Sequence, residues 1–182
     1  MFSGLDLLGV YVEDTQASVV VVTASERDTL WFSRNLVGVI AGSEQTNGAY
    51  AIFDMIGPPG DEVPLHVHTV EDEAFLILEG EMTVWVGDQQ RVIGAGDYAL
   101  MPRNVMHCYR VTSDTPTRWL AITSPAGFEG FVREISAPAT EHRLPDQVDL
   151  SPETLARLGS IATNYGVTFL GPPGTRPSDV AK

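Results

Sequence analysis

The stretch that most constrains the fold of this 182-residue chain runs from Gly60 to Gly80 and reads GDEVPLHVHTVEDEAFLILEG. Side chains two residues apart on a strand share a face, so His66 and His68 project to the same side. Glu73 precedes the apolar run 74–78, which we expect to pair back as a strand and to bring the carboxylate toward the same point. The pattern predicts that two imidazoles and one carboxylate meet at a metal ion.

A fourth donor lies further along the chain, in the segment GDYALMPRNVMH that ends at His107. Three neutral imidazoles and one carboxylate suit one divalent transition metal per chain: Fe, Mn, Ni, Co, Cu or Zn. A six-coordinate ion would keep two positions open for water, dioxygen or substrate, whereas tetrahedral zinc would be closed and structural. The residue types alone do not decide between a six-coordinate site and a closed tetrahedral one.

The carboxylate donor could be either of two glutamates in the acidic group 71–73. Glu73 is favoured over Glu71 because the apolar strand begins directly after it. Glu71 and Asp72 are then predicted to form a solvated turn outside the metal site.

Strand alternation also predicts which side chains surround the donors. Phe75 and Ile77 share the face of the carboxylate, and Val105 and Tyr109 share the face of the last histidine. An apolar and aromatic lining is typical of a small-molecule cavity, although core packing explains any one of these residues equally well. We therefore expect a substrate pocket lined by these four residues.

Short segments rich in β-branched and aromatic residues alternate with Gly, Pro, Asn and Asp turns over residues 19–123. Such closely spaced strands predict an all-β antiparallel sandwich or barrel. Helical periodicity occurs only at 128–135 and after the N-cap Ser151, and these two helices are expected to cover one outer face or edge of the barrel. The predicted strands are 19–23, 29–33, 36–41, 49–56, 74–78, 82–86, 98–101, 106–112 and 117–123.

The chain is predicted to form one barrel with an extension at each end. Residues 1–24 are the N-terminal extension, in which the valine run could be an edge strand donated to a partner subunit. Residues 25–135 form the β-barrel, and residues 136–182 form a C-terminal helix and tail packed on it. Beyond Gly171 the tail has little to bury, so we expect it to be mobile or draped over the surface.

Composition narrows the class of protein. With 24 acidic against 11 basic side chains and a net charge of -13, the chain lacks the basic face that nucleic acid requires. Its apolar runs are far shorter than the roughly 20 residues that span a bilayer, and its first residues lack a basic leader pattern. We expect a cytoplasmic protein with no membrane partner.

The single cysteine, Cys108, is expected to be a buried thiol facing away from the donors, and His142 is expected to lie on the surface.

Two spacing patterns resemble the two motifs of the cupin family. The first motif is matched at Gly60, His66, His68, Glu73 and Gly80, and the second at Gly96, Pro102 and His107. Asn104 stands where the second motif has Gly, and Val111 where it has Asn. Asn tolerates a left-handed turn, and the position of Val111 is not a metal ligand, so neither departure affects the metal site. The resemblance implies a cupin double-stranded β-helix, or jelly-roll barrel, with short C-terminal helices.

Further segments resemble the single-domain cupins grouped with quercetin 2,3-dioxygenase. They are TLWF at 29–32, NGAY at 47–50, PPG at 58–60, PLHVH at 64–68, DEAF at 72–75 and PAGFEGF at 125–131. The resemblance implies a metal-dependent dioxygenase that cleaves a flavonol-like or other enolic aromatic substrate, and a homodimer. It also implies that Glu73 accepts the substrate hydroxyl proton, in a partly apolar surround that raises its basicity. Two alternatives stay open: a metal-assisted isomerase, decarboxylase or hydrolase, and a non-catalytic cupin that binds a small molecule.

Overall fold

The computed structural model describes residues 19–146 and 151–180, which form two antiparallel sheets and a few short helices. The elements are β1 (Asp28–Phe32), β2 (Asn35–Ala41), α1 (Ser43–Thr46), β3 (Ala51–Gly57), β4 (Pro64–His68), β5 (Asp72–Glu79), β6 (Glu81–Val86), β7 (Gln89–Gly94), β8 (Tyr98–Met101), β9 (His107–Val111), β10 (Thr117–Ser124), α2 (Phe128–Ile135), β11 (Ala137–Pro138), α3 (Pro152–Thr163), β12 (Val167–Pro173) and α4 (Pro177–Val180). Of the predicted segments, all but 19–23 are found as strands, within one or two residues at most ends.

The sheets have a jelly-roll arrangement. One sheet has the strand order β11-β1-β2-β3-β10-β5-β8, and the other has the order β12-β4-β9-β6-β7. Strands distant in sequence therefore lie side by side, and the buried core draws residues from both sheets. This architecture confirms the predicted all-β fold.

Strand alternation explains how the core is built. On β3, every second residue from Ala51 to Gly57 is buried, and β10 alternates in the same way. The two strands pair antiparallel, with Trp119 opposite Met55 and Ala121 opposite Phe53. Inward-facing side chains on both strands thus meet in the core, while their neighbours face outward.

The prediction of a strand at residues 19–23 is wrong for a single chain without a partner subunit. These residues lie in no strand, and the side chains of Val19 and Val21 are 91% and 76% exposed. A β-branched run has a high strand propensity, but a strand also needs a neighbour to pair with, and none of the described strands lies beside it. Its donation to a partner subunit stays a prediction, and residues 1–18 of the predicted extension lie outside the described residues.

Three strands were not predicted from the sequence: β7, the two-residue β11, and β12. Strand β7 is almost wholly exposed, so its sequence QQRVIG lacks an alternating apolar face. Strand β12 contains Gly171 and two prolines, yet it pairs with β4 through Val167 opposite His68 and Phe169 opposite His66. The chain beyond Gly171 continues β12 and then forms α4, and Arg176 between them pairs with Glu62, so the tail lies along the barrel surface, the second of the two expected arrangements.

The two predicted helices are present as α2 and α3. Ser151 caps α3, with its Oγ accepting a hydrogen bond from the Thr154 N–H at 3.3 Å. Both helices contribute side chains to the cavity described below, so they do not simply cover an outer face of the barrel. Within the described ranges, the structure has no helix that is long and apolar enough to cross a membrane.

Candidate metal centre

The structure brings the four predicted donors together between the two sheets. His66 and His107 are opposite each other on the paired strands β4 and β9, and His68 lies two residues along β4. Glu73 belongs to β5 in the other sheet, which lies between β10 and β8. The ligand atoms of the four residues all lie within 4.8 Å of one another, so the cluster could hold one metal ion.

Each histidine is oriented by an acceptor at its Nδ1 atom. His66 Nδ1 lies 2.8 Å from the Pro64 carbonyl oxygen, and His107 Nδ1 lies 2.9 Å from that of Val105. His68 Nδ1 lies 2.5 Å from a carboxylate oxygen of Glu71. An acceptor at Nδ1 fixes the proton there and leaves Nε2 as the metal-binding atom.

The buried donors fit a metal ion. The Nε2 atom of His68 is buried and has no hydrogen-bond partner among the described residues. A buried polar atom without a partner is costly, and a ligand at that point removes the cost. A set of three imidazoles and one carboxylate suits a divalent transition metal.

The four donors also set one another's protonation. Burial raises the pKa of Glu73, but the close contact with His107 and the charges of nearby histidines lower it to about 2. Burial and the charges of the other histidines lower the pKa of His66 well below its ordinary value. Burial lowers the pKa of His68, but its bond to Glu71 and the nearby carboxylate charge raise it overall. At neutral pH, Glu73 is ionised and His66 is neutral, the forms that bind a metal.

The low pKa of Glu73 corrects the expectation that an apolar surround raises its basicity. Oε2 of Glu73 lies 3.3 Å from Nε2 of His107, so histidines face the carboxylate as well as apolar side chains. Their influence outweighs the effect of burial on the pKa. Glu73 is therefore a weak base as it stands in this site.

The turn before β9 fits the left-handed conformation expected of Asn104. Its φ angle is +65°, and its backbone N–H donates to the carbonyl oxygen of His68 at 2.7 Å. Asn takes this conformation more readily than other residues that have a Cβ atom, so the missing motif Gly is tolerated. The turn thereby connects the strand of His107 to the strand of His68.

Glu71 is not part of a solvated turn, and that prediction is wrong. Its side chain is buried, and the whole residue is only 2% exposed. The carboxylate faces inward because it bonds His68 Nδ1 three residues earlier in the chain. Its neighbour Asp72 does lie at the surface, where a pair with Arg103 lowers the pKa of Asp72 to about 2. Glu71 therefore orients the donor His68, while Asp72 links the start of β5 to Arg103 in the turn before β9.

Replacement of Glu71 by Gln is expected to lower metal affinity by roughly 10- to 100-fold. Glutamine has a similar size, but it removes the charge that holds the His68 proton on Nδ1 and makes Nε2 a stronger donor. Competition titration with a coloured chelator measures the change. The control is Glu79→Gln at the far end of β5, because Glu79 is largely exposed. An unchanged affinity in the Glu71 variant would show that this hydrogen bond does not support the donor.

An apolar cavity lies beside the donors, and two of the four predicted pocket residues line it. Phe75 and Tyr109 face the cavity, while Ile77 and Val105 do not. Ile77 lies further along β5 in the main core. Val105 lies in the turn before β9, where strand alternation does not apply, and its carbonyl orients His107. Alternation therefore predicts which side chains of a strand face inward, but it does not show how far the cavity extends along the strand.

The sequence did not predict which side chains close the cavity on the side of the helices. Phe128 and Phe131 of α2, with Leu155 and Leu158 of α3, close this side. The ring of Phe128 lies 5.1 Å from that of His68, centroid to centroid. The apolar periodicity of both helices was visible in the sequence, but nothing in it showed which surface they would cover.

The remaining predicted residues lie away from the donors. Cys108 is buried and faces the C-terminal segment, with its thiol 3.5 Å from the Thr175 carbonyl oxygen. Burial raises the pKa of this thiol, which makes it a poor nucleophile. His142 is exposed, as expected.

Comparison with known proteins agrees with this architecture. A cupin domain model matches residues 53–123. Quercetin 2,3-dioxygenase from Bacillus subtilis (strain 168) is 32% identical over 125 residues, covering 69% of this chain and 37% of that protein. The enzyme of the same name from Aspergillus japonicus is 27% identical over 126 residues, which cover 63% of this chain and 36% of the Aspergillus protein. The chain thus spans little more than a third of the length of these relatives.

Solved structures show the same fold. KdgF from Halomonas sp. superposes with a TM-score of 0.55 at 15% identity, over 62% of this chain and 99% of that one. A Thermotoga maritima protein described as a predicted oxalate decarboxylase gives a TM-score of 0.52 at 27% identity, over 58% and 99% of the two chains. The fold and the donor cluster define a jelly-roll protein with a buried centre that could bind a metal. The chain belongs to the cupin superfamily and resembles the quercetin 2,3-dioxygenases.

Proposed function

We propose that the protein is a mononuclear metal dioxygenase that acts on a flavonol-like or other enolic aromatic substrate. The observation that carries the proposal is the position of the donor cluster, of which His66, His68 and Glu73 line a cavity walled mainly by apolar and aromatic side chains. Such a cavity places an aromatic substrate next to the donors, and holding the reactants together lowers the barrier to their reaction. The two relatives named as quercetin dioxygenases support this reaction class.

The metal would be held by His66, His68 and His107 through Nε2 and by the carboxylate of Glu73. When bound, it would supply Lewis acidity that lowers the pKa of an enol hydroxyl, and redox chemistry toward dioxygen. This acidity matters because Glu73, with a pKa of about 2, is a weak base. Glu73 would accept the hydroxyl proton on the carboxylate oxygen that does not bind the metal.

The charges around the cavity favour a neutral substrate. Its lining includes the carboxylates of Glu73, Asp61 and Glu62, and none of the described lining residues is Lys or Arg. Apart from a metal at the donors, a small dicarboxylate would find no cation among these lining residues to offset the like charges. This argues for a neutral aromatic substrate over an anionic one such as oxalate.

A substrate with several rings requires the helical side of the cavity to move. The cavity holds about 100 Å³ of free space, less than the roughly 300 Å³ at the lower end of ligand pockets. Leu155 and Leu158 reach it from α3, a helix that packs mainly against β12 at the edge of its sheet. We therefore expect α3 to shift outward when a flavonol binds.

The test is oxygen uptake by protein loaded with one metal at a time. Protein stripped with a chelator is reloaded with Fe, Mn, Co, Ni, Cu or Zn and mixed with a panel of flavonols and simpler enols in an oxygen electrode. At least one redox-active metal is expected to give uptake that depends on substrate, with one dioxygen consumed per ring cleaved. Substrate conversion without oxygen uptake would indicate an isomerase, decarboxylase or hydrolase. Metal-loaded protein that converts none of the compounds would contradict the dioxygenase.

A further inference from the structure

A second polar cluster lies in the cavity wall, apart from the four donors. It consists of Asp61, Asn35 and Tyr109, all of which line the cavity. Asp61 is 2% exposed and Asn35 is 1% exposed. The hydroxyl of Tyr109 donates to Oδ2 of Asp61 at 3.1 Å. The proposed metal chemistry uses none of these three groups, so their place in an otherwise apolar wall requires an explanation.

The unused hydrogen-bonding capacity of this cluster consists of acceptors. The Asn35 amide donates to Asp61 and to the Tyr109 oxygen, and the Glu62 N–H donates to Asp61. This leaves Oδ1 of Asn35 without a partner among the described residues. A carboxylate has about four acceptor sites, so Asp61 keeps one after these three bonds. A ligand group that binds here must therefore donate a hydrogen bond.

One cation faces the cluster from outside the cavity. Nη1 of Arg34 lies 4.0 Å from Oδ1 of Asp61 and also donates to the carbonyl oxygen of Gly60. The arginine partly offsets the charge of the buried carboxylate, which disfavours a second cation at this point. The cluster is therefore better suited to a neutral hydroxyl donor than to a cationic ligand.

The position of Tyr109 connects the cluster to the donors. Tyr109 lies two residues beyond His107 on the same face of β9, which corresponds to about 7 Å along the strand. Its ring contacts those of Phe75 and Trp119, with centroids 5.6 and 5.4 Å apart. An aromatic ring that packs against these side chains can have one edge at the donors and another edge at the cluster.

We propose that Asp61 and Asn35 form a subsite that accepts a hydrogen bond from a phenolic hydroxyl of the substrate. This inference rests on the proposed function only in taking the ligand of the cavity to be aromatic. It adds a structural requirement for the substrate: a hydroxyl on the side of the ring system away from the enol. Aromatic enols without that hydroxyl are expected to bind more weakly.

The test compares two one-ring probes, phenol and toluene, on the metal-free full-length protein. The free space of about 100 Å³ is closer to that of a single-ring site than to a larger ligand pocket, since an apolar cavity of about 150 Å³ binds benzene. Affinities are measured by ligand-observed NMR titration for the wild type, Asp61→Asn and Tyr109→Phe. Asp61→Asn is expected to weaken phenol about tenfold, because a hydrogen bond to a charged acceptor is lost. Toluene affinity is expected to change less than about twofold.

Tyr109→Phe separates ligand binding from a purely structural role. The variant removes one donor to Asp61 and frees an acceptor site, so phenol affinity is expected to stay equal to that of the wild type or to rise. Parallel weakening of phenol and toluene in both variants would mean that the cluster only holds the wall together and would overturn the proposal. Unchanged phenol affinity in Asp61→Asn, or a wild type that binds neither probe, would also overturn it. Since no metal is present, failure of the oxygen-uptake test leaves these results intact.

Discussion

Replacement of His107 by Ala is expected to lower metal affinity by at least about 100-fold and to abolish oxygen uptake. Loss of a residue that only supports a ligand already costs roughly 10- to 100-fold, and this variant removes a donor atom itself. His107 also lies opposite His66 across the paired strands, so its loss removes the donor that β9 contributes to the cluster. Metal content after dialysis against a limiting chelator, measured by elemental analysis, gives the affinity change.

The matched control is His142→Ala. His142 is exposed and lies outside the cavity lining, so its loss is expected to leave metal content and turnover unchanged. A thermal melt of both apoproteins separates loss of the metal from loss of the fold. Equal metal content in the His107 and His142 variants would contradict the assignment of His107 as a donor.

Replacement of Glu73 by Gln is expected to slow turnover by roughly 10²- to 10⁴-fold per bound metal. The amide can still offer an oxygen to a metal, but it cannot accept the enol proton. Turnover is therefore normalised to the metal content of each preparation. Because Glu73 has a low pKa, the loss is expected to be similar across the pH range from 6 to 8, where the wild-type carboxylate is fully ionised.

Glu79→Gln is the control for this variant. Glu79 lies at the end of the same strand, β5, and its side chain is largely exposed. Its replacement removes the same charge without touching the cavity, so turnover is expected to match the wild type. Full turnover by a metal-loaded Glu73→Gln variant would exclude Glu73 as the proton acceptor.

Local pattern was sufficient to predict three of the four donors, His66, His68 and Glu73. The two-residue spacing of His66 and His68 fixed a common face, and the apolar run after Glu73 indicated a returning strand. Both are properties of a single strand or of neighbouring strands, which the sequence encodes directly. The position of His107 opposite His66 also required the motif resemblance, because 41 residues separate the two in the chain.

The features that the sequence did not reveal depend on contacts between distant segments. The sequence around Glu71 is typical of a solvent-exposed turn. Its carboxylate is buried because the fold places it next to the ring of His68. Strand β12 contains Gly and Pro and forms because β4 offers it an edge. The run 19–23 has a high strand propensity but has no such edge among the described strands. Propensity thus predicts a strand well only where a partner is available.

The most direct test of the metal assignment is a crystal structure of the metal-loaded protein with anomalous diffraction recorded at the metal edge. We predict one anomalous peak per chain, about 2.0–2.2 Å from Nε2 of the three histidines and from a carboxylate oxygen of Glu73. We also predict at least one further coordination position that opens into the aromatic cavity. A peak bound through Nδ1 or lying elsewhere in the chain, or a closed tetrahedral ion with no open position, would contradict the account.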